Sequence, residues 1–274
     1  MFAESDGARL HYESAGSGEP VLLIMGLGMS ATMWWRTIPV LAERHRVIAF
    51  DNRGAGRSDC TPGLYTVAQL AADAAAVLDA AGEASAHVYG LSLGGIVAQA
   101  LALSSPDRVR SLVLGATTPG GLEHEAPDAD TLAFLRRRTS MPADEAAWAS
   151  VPYTYARRTR ERDAGRIGED VVQRLRFPAS PDGYRAQLAA VWGWDATKRL
   201  PDLRLPALVV HGAEDRMVPV SNGRRLADTI PGARLVVLDD AAHLFPTDEP
   251  EADREVFRFL RDLPQPAADA AAAR

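Results

Sequence analysis

The sequence is almost without cysteine and lysine: among its 274 residues, Cys60 is the single cysteine and Lys198 the single lysine. One cysteine excludes an intramolecular disulfide bond and a zinc site built from cysteines. The six histidines lie scattered along the chain, without the short spacing that is typical of metal ligands. We therefore expect no metal site.

Long apolar runs and an excess of positive charge are also missing. The longest apolar run, residues 21–29, contains two glycines and is much shorter than the ~20 residues of a membrane-spanning helix. The first residues include charged side chains and lack the apolar segment of a secretory signal. The formal net charge of −6 argues against binding to nucleic acid. We expect a cytoplasmic monomer or small homo-oligomer that binds neither membrane nor nucleic acid.

The sequence does contain an alternation of strands and helices. Short apolar runs bounded by turn residues predict strands over residues 10–13, 20–25, 47–50, 87–89, 111–114, 207–211 and 234–238. Apolar residues at helical spacing predict helices between them, over 67–81, 96–103, 223–230 and 251–260. This alternation is typical of the α/β class, and it predicts a mostly parallel sheet with helices on both faces.

The alternation stops between residues 119 and 199, where every predicted element is a helix. These helices are predicted over 130–138, 144–150, 168–177 and 183–192. We interpret residues 119–199 as a helical cap inserted into a core that consists of residues 1–118 and 200–263. Residues 264–274 are rich in proline and alanine and are predicted to form a flexible tail.

Ser92 carries the strongest chemical signal. It is the central residue of a Gly-Leu-Ser-Leu-Gly segment, residues 90–94, which lies between a predicted strand and a predicted helix. A G-x-S-x-G sequence in that context predicts a nucleophile elbow, a tight turn that holds the serine hydroxyl clear of the sheet. The same five residues, taken alone, also fit a glycine-rich turn before a helix.

Two further residues strengthen the interpretation of Ser92 as a nucleophile. A serine hydroxyl requires a nearby base, which a carboxylate in turn orients. Asp215 follows the predicted strand 207–211, and His243 follows the predicted strand 234–238. The chain order Ser, Asp, His is the one expected for this elbow. Taken alone, Asp215 would be a turn former and His243 a loop histidine, but together with Ser92 they predict a catalytic triad.

Two backbone N–H groups are predicted to bind the oxyanion of the reaction. One belongs to Leu93, directly after the nucleophile, and the other to the loop that follows the first buried strand. That loop is Met-Gly-Leu-Gly, residues 25–28, and we assign the second donor to Leu27. The loop lacks the full glycine pattern of a dinucleotide-binding turn, since Ala31 occupies the third glycine position.

With these motifs the sequence resembles the α/β-hydrolase superfamily over residues 21–260, in its lid-bearing esterase and lactonase branch. It also resembles enol-lactonases and polyketide esterases in general character. Residues 51–58, Asp-Asn-Arg-Gly-Ala-Gly-Arg-Ser, are similar to the family's D-x-R-G-x-G-x-S loop, and His243 followed by Glu249-Pro250 is similar to its H-x5-E-P ending.

The resemblance implies an eight-stranded sheet, a helical cap between strands six and seven, no cofactor, and the triad Ser92, Asp215 and His243. One departure concerns the oxyanion loop. Many relatives have His-Gly there, whereas this chain has Met25-Gly26. The backbone donor survives this change, but the polar support beneath the loop is altered.

The substrate pocket is predicted to be largely apolar and to lie under the cap. Side chains near the elbow, the oxyanion loop, the cap and the predicted base are its candidate lining: Met25, Trp34, Trp35, His124, Phe134, Trp148, Tyr153, Trp192 and Leu244. The arginines of the cap, among them Arg136–Arg138, could attract a carboxylate. Because acidic residues nearly balance them, we interpret them as a solvated helix face. His211, at the end of a predicted strand, is interpreted as structural.

These residues together predict a serine hydrolase that cleaves a carboxylic ester or lactone of a small to medium, largely apolar molecule. His243 would accept the proton of Ser92 and protonate the leaving alcohol, while Asp215 fixes the imidazole tautomer. Because a fold does not determine a function, three alternatives stay open. The same triad could serve a non-hydrolytic lyase or cyclase, or a cofactor-free haloperoxidase of secondary metabolism, and the scaffold could also be a ligand receptor without turnover.

Overall fold

A computed structural model of the chain describes residues 1–264, in which eight strands form one sheet. The strand order is β1-β2-β4-β3-β5-β6-β7-β8. Strands β1 and β2 pair antiparallel, as do β2 and β4, and all other neighbours are parallel. The strands are β1 (Phe2–Ser5), β2 (Ala8–Ala15), β3 (Glu19–Ile24), β4 (His45–Phe50), β5 (Ala86–Leu91), β6 (Val109–Gly115), β7 (Ala207–Gly212) and β8 (Arg234–Leu238). The predicted eight-stranded, mostly parallel sheet is confirmed.

Strand β1 was not identified from its own sequence, although the turn that creates it has a clear signal. The turn consists of Asp6 and Gly7, which adopt φ values of 41° and 74°. Asp-Gly with two positive φ values is typical of the two-residue hairpin turn that matches the twist of antiparallel strands. The turn pairs β1 with β2 at the edge of the sheet.

Helices cover both faces of the sheet, as predicted. They are α1 (Thr37–Leu41), α2 (Val67–Ala80), α3 (Leu93–Ser104), α10 (Val220–Thr229), α11 (Phe245–Asp248) and α12 (Glu251–Arg261). Side chains alternate along the central strand β3: Leu22 and Ile24 pack into the cluster that contains α2, α3 and α10, and Val21 and Leu23 into the cluster that contains α1 and α12. Burial of both strand faces explains why β3 is a continuous apolar run.

Six further helices lie between β6 and β7, where the sequence predicted a helical segment. They are α4 (Ala129–Arg138), α5 (Ala143–Ala149), α6 (Val151–Thr154), α7 (Arg157–Arg162), α8 (Ala164–Arg176) and α9 (Pro181–Trp192). The short helices α6 and α7 were not predicted, because one or two turns carry little periodicity. The domain boundaries at residues 118/119 and 199/200 stay a prediction, and all of the predicted tail 264–274 except Pro264 lies outside the described residues.

The loop after β4 binds several parts of the core together. Asp51 is fully buried and accepts hydrogen bonds from the backbone N–H groups of Ala31 (2.6 Å) and Arg57 (2.9 Å). A Cβ atom on Gly56 would lie 2.4 Å from the Asp51 carboxyl carbon, so only glycine fits. The acid and the second glycine of the D-x-R-G-x-G-x-S segment therefore have a structural explanation.

The arginine of the same segment forms a buried ion pair. Arg53 donates two hydrogen bonds to Asp73 on α2, at 2.9 and 2.7 Å, and both side chains are 1% exposed. It also donates to the backbone oxygens of Ser5 and Asp6. This one guanidinium therefore connects the β1–β2 turn, the loop after β4 and helix α2.

None of the helices in residues 1–264 combines the length and apolar character that crossing a membrane requires. Within those residues, no three His, Cys, Asp or Glu side chains come together as metal ligands would.

We expect Asp73→Ala to lower the free energy of unfolding by about 3–5 kcal/mol, because it leaves the buried Arg53 cation without its partner. The matched control is Asp79→Ala on the same helix, which removes an exposed ion pair with Arg108 and should cost less than about 1 kcal/mol. Urea denaturation measures both values. Equal losses in the two variants would contradict a structural role for the buried pair.

Candidate active site

Ser92 occupies a sharp turn between β5 and α3. Its φ of 57° and ψ of −118° lie outside the regions that a residue with a side chain usually adopts. The turn is held by two hydrogen bonds of the Ser92 backbone: its N–H donates to the Gly115 carbonyl oxygen (2.8 Å), and its carbonyl oxygen accepts from the Thr117 hydroxyl (2.7 Å). Such strain persists only where the surrounding structure determines it, and it is concentrated at functional sites.

The glycines on either side of Ser92 are required by space. A Cβ atom on Gly90 would lie 2.1 Å from the Gly94 oxygen, and one on Gly94 would lie 1.9 Å from the Ile24 oxygen. Helix α3 therefore starts directly above the ends of β3 and β5. This close approach explains the G-x-S-x-G spacing in physical terms.

His243 and Asp215 meet in the loops that follow β8 and β7. His243 Nδ1 lies 2.8 Å from Asp215 Oδ2, and both side chains are buried. Because a carboxylate accepts hydrogen bonds, Nδ1 carries the proton and Nε2 of a neutral imidazole is left as the basic nitrogen. His243 and Ser92 line the same cavity, and Asp215 lies behind His243. The structure thus brings the three predicted residues together.

The Asp215 carboxylate is surrounded by donors. Its Oδ1 accepts from the backbone N–H groups of Met217 and Val218, both at 2.9 Å, and His211 Nε2 lies 3.3 Å from Oδ2. Burial of Asp215 opposes its ionisation, but the neighbouring imidazoles of His243 and His211 outweigh it and lower the pKa of Asp215 to about 2. Asp215 is therefore a carboxylate at every pH near neutrality.

His211 is a neighbour of this site that the sequence did not indicate. It is fully buried, and Nε2 donates to the Val218 oxygen at 2.8 Å while facing Asp215. Gly223 packs against the ring so closely that a Cβ atom would lie 2.4 Å from His211 Nδ1. The structural interpretation of His211 agrees with these contacts, and they add that the residue it supports is Asp215. Its position four residues before Asp215 is the only sequence signal for this contact.

The two predicted oxyanion donors lie beside Ser92. Leu93 is the first residue of α3, so its N–H has no acceptor within the helix. In the loop 25–28, the Gly28 N–H donates to Gln187 Oε1 (2.8 Å), but no protein acceptor within residues 1–264 binds the Leu27 N–H. Gly26 brings this loop against Ser92, since a Cβ atom added to Gly26 would lie 3.2 Å from the Ser92 Cβ atom. The assignment of Leu27 and Leu93 as oxyanion donors stays a prediction.

Polar support for the oxyanion loop comes from Asn52. Its side-chain amide donates to the Met25 oxygen at 2.8 Å, while the Met25 side chain is buried in the core. In this chain a side-chain amide from the loop after β4 therefore holds the backbone that precedes Gly26.

A cavity of about 260 Å³ opens in front of Ser92 and His243, between the carboxyl ends of the strands and helices α4 and α9. Of the predicted pocket residues, His124, Trp192 and Leu244 line it, as do Leu27 and Leu93. Burial lowers the pKa of His124, whose Nδ1 lies 2.8 Å from Thr118 Oγ1.

Six predicted pocket residues do not line this cavity: two of them belong to the core beneath it, and a third packs against α8. The Met25 side chain packs in the core beneath the oxyanion loop, and Trp34 is fully buried against Tyr89, with ring centroids 4.8 Å apart. Trp35 points to α8, where its indole N–H donates to Asp170 at 3.0 Å. Proximity in sequence to the oxyanion loop therefore did not predict which side chains line the cavity, because the chain turns after residue 30.

The other three are aromatic residues of the helices between β6 and β7. Phe134 and Tyr153 stack on each other, with centroids 4.5 Å apart and an angle of 12° between the rings. Trp148 is 55% exposed and faces outwards. The first two are buried against each other and do not line the cavity.

Several lining residues were missed, most of them because an apolar side chain carries no chemistry that marks a site, and Arg138 because its arginine run was interpreted as a solvated helix face. They are Met29, Ile96, Thr117, Thr118, Pro127, Leu132, Leu135, Arg138, Thr154, Leu188, Val191, Trp194, Met217 and Val218, together with glycines and Leu91. Leu132 with Leu135 on α4 and Leu188 with Val191 on α9 have helical spacing, which would have indicated apolar faces but not what they face.

Comparison with known proteins places the chain among proteins of one fold. A family model described as alpha/beta hydrolase fold matches residues 19–250. A protein of Azorhizobium caulinodans that carries the name carbamate hydrolase RutD is 32% identical over 259 residues, which cover 93% of this chain and 96% of that protein. One of Mycobacterium tuberculosis H37Rv, named as non-heme bromoperoxidase BpoC, is 33% identical over 251 residues, 89% of this chain and 94% of that one.

A solved structure gives the same result. The crystal structure of the enol-lactonase from Burkholderia xenovorans LB400 superposes with a TM-score of 0.85 at 28% sequence identity, and the match covers 96% of this chain and all of that chain.

The low pKa of Asp215 predicts how Asp215→Asn changes the pH dependence of stability. Since the folded pKa of about 2 lies below the ordinary 3.8, ionisation of Asp215 stabilises the fold fully above pH ~4 and loses this effect as the pH falls towards 2. The difference in free energy of unfolding between wild type and Asp215→Asn should therefore shrink by up to about 2 kcal/mol between pH 6 and pH 2. Urea denaturation over this range tests it, with Asp239→Asn, an exposed neighbour, as control. A difference that does not vary with pH would contradict the assigned environment.

Proposed function

The chain belongs to the α/β-hydrolase fold family, and on that premise we propose that it is a serine hydrolase that cleaves a carboxylic ester or lactone through an acyl-enzyme on Ser92. The observation that carries the proposal is the arrangement around one cavity: Ser92 on a strained turn and His243 both line it, and Asp215 holds His243 from behind. This is the arrangement that serine acyl transfer requires.

The first half of the reaction forms the acyl-enzyme. His243 Nε2 accepts the proton of the Ser92 hydroxyl as its oxygen attacks the carbonyl carbon. The N–H groups of Leu27 and Leu93 bind the oxyanion that develops, and each such donor contributes about 3–4 kcal/mol to catalysis in proteases of this mechanism. The protonated His243 then donates its proton to the leaving alcohol as the ester C–O bond breaks.

The second half consumes water. His243 accepts a proton from a water molecule, which attacks the acyl carbon, and the acid leaves when Ser92 regains its proton. The Asp215 carboxylate stabilises the cationic imidazole in both halves, and its depressed pKa keeps it ionised while His243 changes charge. The start of helix α3 adds a favourable partial positive charge beside the oxyanion.

The cavity favours a small to medium, largely apolar substrate. Leucine, valine and tryptophan side chains of α4 and α9 form much of its wall, and its volume of about 260 Å³ is at the lower end for ligand pockets. We therefore expect short and medium acyl chains to react best.

A second candidate function is hydrolysis of a carbamate. It is supported by the 32% identity, over nearly the full length, to the relative named carbamate hydrolase RutD. The chemistry would use the same residues, because a carbamate also offers a carbonyl carbon to Ser92, and only the group beside that carbon differs. The relative named as a bromoperoxidase supports, in the same way, the haloperoxidase alternative.

Replacement of the nucleophile tests the proposal directly. Ser92→Ala should lower kcat for p-nitrophenyl butyrate by at least about 10³-fold, because the acyl-enzyme can no longer form. Ser104→Ala, which removes an exposed serine at the other end of α3, should retain activity. Release of p-nitrophenol measures both, and full activity of a folded Ser92→Ala would exclude the mechanism.

The type of bond is tested by matched substrates. We expect wild type to hydrolyse p-nitrophenyl butyrate faster than the isosteric p-nitrophenyl N-ethylcarbamate, and to incorporate one ¹⁸O from labelled water into the acid. Faster turnover of the carbamate would favour the second candidate. A folded protein that hydrolyses neither substrate would favour a non-hydrolytic enzyme, and a stable complex without product would favour a receptor.

A further inference from the structure

A second, smaller cavity of about 150 Å³ adjoins the one in front of Ser92. It lies among helices α4, α5, α8 and α9, and its polar lining includes Arg138, Arg174 and Tyr184. Arg138 lines both cavities. The proposed mechanism assigns no role to either arginine.

Arg138 differs from the arginines beside it in sequence. Arg136 and Arg137 are exposed, as expected for a solvated helix face, whereas Arg138 is half-buried. Its guanidinium lies over the Tyr184 ring, 4.5 Å from the centroid. A Cβ atom added to Gly28 would lie 3.7 Å from Arg138 Nη2. The interpretation of this arginine run as a solvated surface is therefore wrong for Arg138, since the end of α4 directs it towards the oxyanion loop.

Arg174 is buried on α8, and its hydrogen-bond partner is the Ser150 hydroxyl, at 2.8 Å from Nη1. Burial, together with the nearby Arg138 charge, lowers the pKa of Arg174 to about 9. Within residues 1–264, the side-chain hydrogen-bond partners of the two arginines are neutral hydroxyls, Tyr184 Oη at 3.4 Å for Arg138 and Ser150 Oγ for Arg174, and neither arginine forms an ion pair with a carboxylate. A buried arginine is normally paired, so the buried Arg174 beside the half-buried Arg138, with no carboxylate between them among these residues, indicates a site for an external anion.

We propose that this second cavity binds a carboxylate of the substrate, with Arg138 and Arg174 as its partners. The natural substrate is then an acidic ester or lactone rather than a neutral one. The inference rests on the proposed function, because it concerns the part of the substrate that does not react. A planar carboxylate matches the guanidinium fork, and the hydrogen bonds formed would be charge-assisted.

The distance to the nucleophile limits the length of such a substrate. Gly26 contacts Ser92, and Arg138 contacts Gly28, two residues further along the loop and at most ~7 Å away between Cα atoms. The cation is therefore on the order of 10 Å from the reacting carbonyl. A carboxylate three or four carbon atoms from the ester group spans that distance.

Two pairs of substrates test the proposal, one for each side of the ester bond. The first compares the p-nitrophenyl monoester of glutaric acid with p-nitrophenyl pentanoate, which has the same chain length. The second compares 4-acetoxybutanoate with butyl acetate, followed by acid release. We expect wild type to prefer the anionic member of at least one pair by about 10-fold or more in kcat/KM, as one charge-assisted contact provides.

Arg138→Gln should abolish this preference, bringing the ratio of kcat/KM values close to one. The matched control is Arg137→Gln, which removes an exposed arginine from the same turn of α4 and should leave the ratio unchanged. No preference in either pair, or a preference that Arg138→Gln retains, would overturn the proposal while leaving Ser92-dependent hydrolysis intact.

A binding measurement separates this outcome from a failure of the proposed function. Glutarate should raise the melting temperature of Ser92→Ala and of Ser92→Ala with Arg137→Gln, but not that of Ser92→Ala with Arg138→Gln. If wild type hydrolyses no ester, the proposed function fails, and the glutarate shift alone then decides whether the arginines bind a carboxylate. Equal shifts in all three proteins would contradict the site.

Discussion

The backbone turns from β5 into α3 within one residue, Ser92, and much of the candidate site depends on that turn. It needs glycine at 90 and 94, because any side chain there would collide with the backbone of α3 or of β3. It also brings the first N–H of α3 to the carboxyl edge of the sheet, beside the loop that contains Leu27. A single strained residue thus determines where the hydroxyl, the helix terminus and the oxyanion loop meet.

Buried charge is used in two opposite ways around this turn. Asp215 is buried with three donors and the His211 imidazole around it, so its charge is compensated within the protein and its pKa is low. Arg174 is buried beside Arg138 without such compensation, and its pKa is lowered instead. The first arrangement suits a residue whose charge must stay constant during a reaction, and the second suits a residue that binds an external anion, as proposed above.

The sequence predicted the sheet well because buried parallel strands are continuous apolar runs that turn residues delimit. It predicted that Ser92, Asp215 and His243 lie close together, because each follows a strand and the carboxyl ends of parallel strands meet at one edge. The residues that line the cavity were harder to predict. Trp34, Trp35, Phe134 and Tyr153 are large and aromatic, but whether such a side chain fills a core or a cavity depends on tertiary packing. Arg138 shows the same limit, since its two sequence neighbours are exposed.

Gln187 on α9 links the loop after β3 to the loop after β4 through its side-chain amide. Its Oε1 accepts from the Gly28 N–H, and its Nε2 donates to the Arg53 oxygen, while Gly183, one turn earlier, touches the backbone of Gly54. Helix α9 is thus attached to the loops after β3 and β4 at three points, in a part of the wall that cannot swing away without breaking all of them. The attachment points lie between residues 183 and 187, whereas Trp192 at the far end of α9 and Leu132 on α4 are exposed and line the cavity. A change in the width of the cavity mouth is therefore expected at that end of α9 and not at its anchored part.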